Sequence, residues 1–312
     1  MTRIMIDCDP GHDDMMAIML ASASDQIDLL GVTTVAGNQT GDKTFENTLK
    51  ILTLINEEIP VARGADKPLL RDLVTAPQFH GQSGLDGVEL PEPGIKALDI
   101  DAVDFIINML EESIEKITLV PTGPLTNIAM VLLKKPEIKH KIERIVLMGG
   151  GMHDSNVTPV AEFNIYVDPE AAKIVFESGV PITMVGLDVT NRALMSFEEI
   201  DAIVADNGAI SSKVGPLLKF FANANKKIFS LNGAPIHDAL AVAAVIDPSV
   251  IGTKFLNVQV EVSSELTRGT TVVDIHSVTG RSSNVDVALE VDTPKFVRFM
   301  LNSINTLDKK FA

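Results

Sequence analysis

The chain has 312 residues, of which 46% are hydrophobic, and this is enough to bury a large core in one large domain or two small ones. Its 42 acidic and 26 basic residues give a formal net charge of -16 at pH 7. This charge argues against a surface that binds nucleic-acid phosphates and against adhesion to an anionic membrane. A small molecule is therefore the expected partner.

The sequence contains a single cysteine, Cys8, which excludes an internal disulfide framework. Its place between Asp7 and Asp9, in a predicted buried strand, predicts a small core residue. The first three residues lead directly into a short predicted strand without the apolar segment of a secretory signal, and the apolar run at 239–246 is too short to span a bilayer. These features predict a cytoplasmic protein.

Short β-branched runs alternate with longer helical patterns along the chain, which is typical of βαβ units around a mainly parallel sheet. The predicted strands are 4–6, 29–35, 61–64, 117–120, 145–148, 182–187, 255–262 and 270–275. The predicted helices are 15–21, 40–55, 102–115, 125–134, 168–178, 197–205, 214–229, one that opens at 233–238, and 296–307. The stretch 65–98 is rich in Pro and Gly and is predicted to be a long surface loop, a kind of loop that is usually functional or disordered.

Residues 7–14, DCDPGHDD, place four carboxylates between the first strand and the first helix: Asp7, Asp9, Asp13 and Asp14. No Lys or Arg stands among them, and a helix N-terminus offsets only about half an elementary charge. The crowding therefore requires protonation or a cation. An Asp-rich site without Cys or clustered His favours calcium or magnesium over zinc. A solvated acidic turn would explain two such acids, but not four beside apolar runs.

Polar and glycine-rich groups follow the C-terminal ends of several predicted strands. They are the acidic stretch, Asn38, residues 122–123, the turn at Gly149, and Asp188. Parallel sheets bind ligands at that edge, so we expect one crevice to gather residues that are far apart in the sequence. This pattern locates a site without naming its chemistry.

Five blocks in order resemble the inosine-uridine nucleoside N-ribohydrolase family: DCDPGHDD, VAGN ending at Asn38, PTGPLTN at 121–127, EFNIYVDPEAA at 162–172, and HDA from His237. The resemblance spans almost the whole chain. It implies a calcium-dependent hydrolase of the N-glycosidic bond of ribonucleosides. It also implies a single α/β domain over residues 1–312, with a central, mostly parallel, Rossmann-like sheet flanked by helices, and a homo-oligomer, either a tetramer or a dimer.

The resemblance also assigns roles to individual residues. The calcium ligands of the family are matched by Asp9, Asp14, the backbone carbonyl of Thr122, and Asp238. The positions that bind the ribose hydroxyls are matched by Asp13, Asn156, Glu162 and Asn164, with Asn38 close by. Asp9 further matches the general base that takes a proton from the attacking water, and Asp7 is expected to be a supporting residue.

Departure of the base is the second half of the implied reaction. From the sequence alone, a cap or a packing residue is the favoured interpretation of both His237 and His80. The resemblance reverses this for His237, which matches a family histidine beside the metal-binding Asp238. For His80, which matches another pocket position, the resemblance makes the two interpretations equal. His12, inside the acidic stretch, is expected to supply a partial counter-charge. Met148 matches an apolar pocket position and is otherwise a core residue.

The base specificity stays open at this point. Asn225 and Phe229 stand where relatives that prefer pyrimidines can present Gln and Tyr. The Phe229 ring can stack on a base but cannot donate a proton. Uridine, cytidine and inosine therefore all remain candidate substrates.

Two other classes of protein share part of the pattern. A magnesium-dependent phosphatase would use Asp7 as nucleophile and Asp9 as acid, but the Pro10-Gly11 turn and the absence of a lysine-bearing phosphate loop in the sequence weigh against it. A non-catalytic calcium- or nucleoside-binding protein would need Asp9 only as a ligand.

Overall fold

The computed structural model describes residues 1–311. The strands are β1 (Thr2–Cys8), β2 (Ile27–Thr34), β3 (Val61–Arg63), β4 (Ile117–Pro121), β5 (Ile142–Met148), β6 (Ile182–Val185), β7 (Leu194–Ser196), β8 (Gly233–Pro235), β9 (Ile251–Val260), β10 (Thr271–Asp274) and β11 (Val285–Val291). The α-helices are α1 (His12–Ala23), α2 (Gly41–Leu54), α3 (Pro77–His80), α4 (Ala102–Glu112), α5 (Thr126–Lys134), α6 (Phe163–Val167), α7 (Pro169–Phe176), α8 (Leu187–Thr190), α9 (Phe197–Asp206), α10 (Ser211–Phe229), α11 (His237–Ile246) and α12 (Thr293–Asp308).

Within residues 1–311, nine strands form one sheet in the order β10-β9-β11-β6-β5-β4-β1-β2-β3. Neighbouring strands pair in parallel from β11 through β6, β5, β4, β1 and β2 to β3, whereas β9 pairs antiparallel with both β11 and β10. Asp7 in β1 lies opposite Thr33 of β2 and Pro121 of β4, so these three strands end level. The residues that follow them therefore meet at one edge of the sheet, as the sequence predicts.

The central strands are buried on both faces, which explains why they appear in the sequence as short continuous apolar runs. In β1 the side chains alternate, with Ile4 and Ile6 in the core cluster on one face and Met5 in the cluster on the other. Helices α1, α11 and α12 contribute to the first cluster, and α4, α5 and α7 contribute to the second. Cys8 is fully buried, so the prediction of a small core residue is confirmed. The chain is thus a single α/β domain.

Several elements depart from the sequence prediction. Helices α6 and α8 and strand β7 were not predicted, and β8 occupies Gly233–Pro235, where the sequence predicts the opening of a helix. Strand β11 was not predicted, although it pairs with both β6 and β9. Its buried Val285 and Val287 alternate with the partly exposed Asp286, a half-buried pattern that carries a weaker apolar signal than the central strands. The segment 65–98 is irregular apart from the short α3, as predicted, yet it buries Ala76, His80 and Leu85.

Across residues 1–311 we find no helix that combines the length and the apolar character needed to cross a bilayer.

Candidate active site

The turn between β1 and α1 directs the acidic side chains of residues 7–14 inward. Gly11 is the N-cap of α1, and its backbone N–H donates to Asp14 Oδ2 at 2.9 Å. Asp9, Asp13 and Asp14 are all buried, with exposures of 0%, 5% and 0%. The reading of this stretch as a solvated acidic turn is therefore wrong.

A carboxylate cluster forms where this turn meets the start of α11. Asp13, Asp14 and Asp238 each offer an oxygen, and these oxygens lie within 4.8 Å of one another. Asp238 comes from a distant part of the sequence and reaches the cluster because α11 packs against α1. Asp14 and Asp238, two of the predicted cation ligands, therefore lie together, and Asp13, which was predicted to bind ribose, joins them.

Asp9 lies beside this cluster, and backbone segments approach its carboxylate closely. Its Oδ2 accepts the backbone N–H of Asn38 at 2.6 Å, whereas its Oδ1 is buried without a protein hydrogen-bond partner in the described chain. A Cβ atom at Gly37 would lie 2.2 Å from Asp9 Oδ2, and one at Gly123 would lie 2.6 Å from Asp9 Oδ1. Both glycines are needed because the backbone approaches the carboxylate so closely.

Thr122 joins the cluster from the end of β4. Its hydroxyl donates to Asp14 Oδ1 at 2.8 Å, and its backbone carbonyl accepts the Asn164 side-chain N–H at 2.7 Å. The side-chain amide of Asn38 also donates to Asp14 Oδ2, at 3.3 Å. The predicted ligand Thr122 therefore lies at the acids, and its carbonyl oxygen, which has two lone pairs, accepts the Asn164 N–H with one of them.

The concentration of buried carboxylates at the site favours a bound cation. Burial raises the pKa of Asp9, Asp13, Asp14 and Asp238, and the mutual repulsion of these carboxylates raises the pKa values of Asp9, Asp13 and Asp238 further. Asp9 Oδ1 and Asp13 Oδ1 have no hydrogen-bond partner among the described residues. The ion pairs found in residues 1–311 include none of these four acids. The donor set is all oxygen, so the residues fit a hard divalent cation.

The cavity above the cluster collects the predicted substrate-binding residues. It is lined by Asp13, Asn38, Ala76, Gln78, Phe79, His80, Thr122, Met148, Asn156, Val157, Glu162, Phe163, Asn164, Phe221, Asn225, Phe229, His237 and Asp238. All nine predicted substrate-binding residues are in this set. Ala76, Gln78, Phe79, Val157, Phe163 and Phe221 were not predicted. Ala76 to Phe79 lie in the irregular segment 65–98, where no periodic pattern reveals which side chains turn inward.

One side of the cavity presents Glu162, Asn164 and Asn156. Glu162 caps α6 and accepts the backbone N–H of Asn164, Ile165 and Gly150. Burial raises the pKa of Glu162 to about 7. The Asn156 side-chain oxygen accepts the N–H of Phe163 at 2.9 Å, so its amide N–H groups are left to donate into the cavity.

Another side of the cavity is aromatic. Phe79 and Phe229 stack with ring centroids 5.3 Å apart, and Asn225 donates its amide N–H to the carbonyl of Phe221. His237 is half-buried beside them, and its Nδ1 lies 2.8 Å from the hydroxyl oxygen of Thr190. Burial lowers the pKa of His237 to about 4.

His12 does not supply the expected counter-charge. Its ring is buried, stacks on His80 and Phe221, and bonds the backbone carbonyl of Asp86 through Nε2 at 2.8 Å. Burial lowers its pKa to about 4, which makes the ring neutral at pH 7. The prediction was wrong because the sequence did not show that aromatic rings of α10 would cover this histidine.

Asp7 lies within the sheet rather than on the cavity wall. Its Oδ1 accepts the hydroxyl of Thr33 at 2.6 Å and the side-chain amide of Asn127 at 2.8 Å. Burial raises its pKa to about 6. A residue held in this way supports the sheet end but is badly placed to attack a substrate, so the phosphatase alternative is not favoured.

The fold and the site together define an α/β protein with an oxygen-rich cation site at the carboxyl edge of a mostly parallel sheet. A profile described as inosine-uridine preferring nucleoside hydrolase matches residues 4–298. The chain therefore belongs to the inosine-uridine preferring nucleoside hydrolase family, and it is an enzyme that cleaves N-glycosidic bonds.

Individual relatives agree with this assignment. The chain is 48% identical over 314 residues to a pyrimidine-specific ribonucleoside hydrolase of Shewanella baltica, covering 100% of this chain and 99% of the relative. It is 47% identical over 303 residues to a protein of the same description from Escherichia coli, covering 96% and 97%. A purine-preferring ribonucleoside hydrolase structure from Gardnerella vaginalis superposes with a TM-score of 0.93 at 36% identity, covering 99% of this chain and 100% of that one.

Proposed function

We propose that this protein hydrolyses pyrimidine ribonucleosides to ribose and the free base in a calcium-dependent reaction of nucleoside salvage or catabolism. The observation that carries the proposal is the buried carboxylate cluster directly beneath a cavity that has polar groups on one side and aromatic rings on another. The choice of pyrimidines over inosine rests on the relatives of about 48% identity, which are described as pyrimidine-specific.

Asp9, Asp14, Asp238 and the carbonyl of Thr122 would hold the cation. When bound, calcium supplies positive charge that makes a nearby water more acidic and orients the ribose hydroxyls. Asp9 is the proposed general base because its Oδ1 is buried at the site and has no hydrogen-bond partner in the described chain. This oxygen is therefore free to accept a proton from the attacking water.

The sugar is proposed to lie against Asp13, Asn156, Glu162 and Asn164. Asp13 Oδ1 is buried without a partner among residues 1–311, so it is available to accept a hydrogen bond from a ribose hydroxyl. Cleavage of the bond between C1' and the base leaves positive charge on the ribose ring, which the surrounding carboxylates stabilise. A deoxynucleoside should react poorly, since its missing hydroxyl leaves these buried groups unpaired.

The base is proposed to lie between Phe229 and the two histidines. Negative charge develops on the base as it departs, and His237 is the proposed donor that stabilises this charge, with His80 nearby in the same cavity. Asn225 is proposed to contact the base edge through its side-chain oxygen, because its amide nitrogen bonds the carbonyl of Phe221.

A reducing-sugar assay on calcium-supplemented enzyme tests this proposal. We expect uridine and cytidine to release ribose rapidly, inosine and adenosine to react more slowly, and the 2'-deoxy analogues to react poorly. The matched control is Asp9→Asn, which removes both an anionic ligand and the proposed base and should lower turnover about 1000-fold or more. Preference for purines would refute the specificity, and near-normal activity of Asp9→Asn would refute the site.

A protein that only binds calcium or nucleoside would hold uridine without releasing ribose in this assay. The homo-oligomeric state and the cytoplasmic location are also proposals, and they rest on the family resemblance and on the sequence. Light scattering on the purified protein and fractionation of its cells would test them.

A further inference from the structure

We propose that Thr190 is a positioning residue that holds His237 in the tautomer with the ring proton on Nε2, aimed at the leaving base. The inference deepens the proposed function and rests on the part of it in which His237 acts on the base. Thr190 itself does not line the cavity and is not proposed to touch the substrate.

The two residues come from elements that pack together in the core. Thr190 is the last residue of α8, which follows the central strand β6, and its exposure is 0%. His237 is the first residue of α11, and helices α8 and α11 are in contact. The Thr190 hydroxyl oxygen lies 2.8 Å from His237 Nδ1, which is an ordinary hydrogen-bond distance.

The direction of this hydrogen bond fixes the tautomer. Among residues 1–311, His237 Nδ1 is the one partner found for the side-chain oxygen of Thr190. If Nδ1 carried the ring proton, the hydroxyl would have to accept it, and the hydroxyl's own hydrogen would be buried without an acceptor. Buried donors without acceptors are unfavourable, so the hydroxyl donates and Nδ1 accepts.

The other ring nitrogen then carries the proton. A neutral imidazole has one N–H, and when Nδ1 accepts, that N–H is at Nε2. His237 lines the cavity while its Nδ1 is occupied by Thr190, so Nε2 is the nitrogen left to meet a ligand. The opposite tautomer would present a lone pair to the leaving base, where negative charge develops, and would repel it.

Kinetics on two leaving groups test the proposal. Thr190→Val keeps the shape of the side chain but removes the hydroxyl, and Thr190→Ser keeps the hydroxyl. With calcium-supplemented enzyme we expect Thr190→Val to lower kcat on uridine about tenfold or more, with KM changing less. On p-nitrophenyl riboside, whose leaving group needs no donor, it should stay within about threefold of wild type. Thr190→Ser should stay near wild type on both substrates.

The outcomes distinguish a failure of the Thr190 proposal from a failure of the proposed role of His237 on which it rests. If His237→Ala slows both substrates equally, the proposed role of His237 fails. The positioning role of Thr190 fails in a different case, in which His237→Ala slows only the reaction of uridine. It fails there if Thr190→Val slows the reaction of neither substrate, or slows both reactions to the same extent. Equal losses in Thr190→Val and Thr190→Ser would also contradict it, because the hydroxyl would then not be the cause.

A second measurement observes the tautomer of His237 in the wild-type protein, with the Thr190 contact intact. Long-range 1H–15N spectra of the wild-type protein distinguish the two neutral imidazole tautomers, and the loss of signals in His237→Gln identifies those of His237. We expect the pattern of an Nε2–H tautomer. An Nδ1–H pattern would overturn the proposal.

Discussion

The two carboxylate oxygens of Asp9 have different surroundings, and the position of each depends on single neighbouring atoms. One oxygen is fixed by the Asn38 N–H, the other is left open, and two glycines pass so close that no larger residue fits beside them. The motif made Asp9 predictable, since four acids in eight residues demand a cation. The need for Gly123 was not predictable, because it depends on a close approach between segments more than 100 residues apart in the chain.

Substitution of Gly123 by Ala should lower kcat about 100-fold, since the new Cβ would lie 2.6 Å from Asp9 Oδ1 and displace the carboxylate. The measurement is steady-state turnover of uridine. The matched control is Gly94→Ala, whose nearest contact is a side-chain methyl of Thr53 at 3.2 Å. Wild-type turnover in Gly123→Ala would mean that Asp9 need not stay where the structure has it.

The roles of the histidines could be predicted from the sequence only in part. His237 was predicted as a site residue only through the family resemblance, and it lines the cavity. Its partner Thr190 left no signal, because a threonine at a helix end is common and its contact with His237 spans 47 positions. His12 was misjudged for a similar reason, since the rings that bury it come from α10.

At the scale of elements, Asp168 connects three parts of the chain: α7, the start of α5 and the irregular segment 65–98. It is the N-cap of α7 and accepts the backbone N–H of Ala171 through Oδ1. Its Oδ2 accepts the N–H of Leu69, in the irregular segment 65–98, and the hydroxyl of Thr126 at the start of α5. The cap was predictable from the Asp-Pro-Glu sequence, whereas the contacts to the other two segments were not.

Asp168→Ala should lower the free energy of unfolding by about 2–4 kcal/mol, because it removes a cap and leaves buried donors unpaired. Denaturant unfolding provides the measurement. The control is Asp101→Ala, which removes the exposed N-cap of α4 and should cost about 1 kcal/mol. Equal losses in the two variants would show that the contacts of Asp168 to Leu69 and Thr126 add no stability.

Across the whole molecule, the sequence predicted the parallel sheet and its ligand-binding edge because the buried central strands carry strong apolar runs. It did not predict β11, whose side chains are apolar on one face only, or the residues of segment 65–98 that reach the cavity. Those placements depend on packing across the fold rather than on local pattern. The family resemblance predicted that Asp238 meets Asp9 and Asp14. The structure groups Asp238 with Asp14 and with Asp13, which was predicted to bind ribose.

Removal and return of the divalent ion test the central claim most directly. The enzyme is treated with EDTA, freed of chelator, checked for residual metal by mass spectrometry, and assayed for ribose release from uridine with calcium, with magnesium, or with neither. We predict that the metal-free enzyme releases no ribose and that calcium restores activity, because the buried acids need a cation to hold the sugar and the water. Undiminished ribose release by enzyme shown to be free of metal would contradict the account.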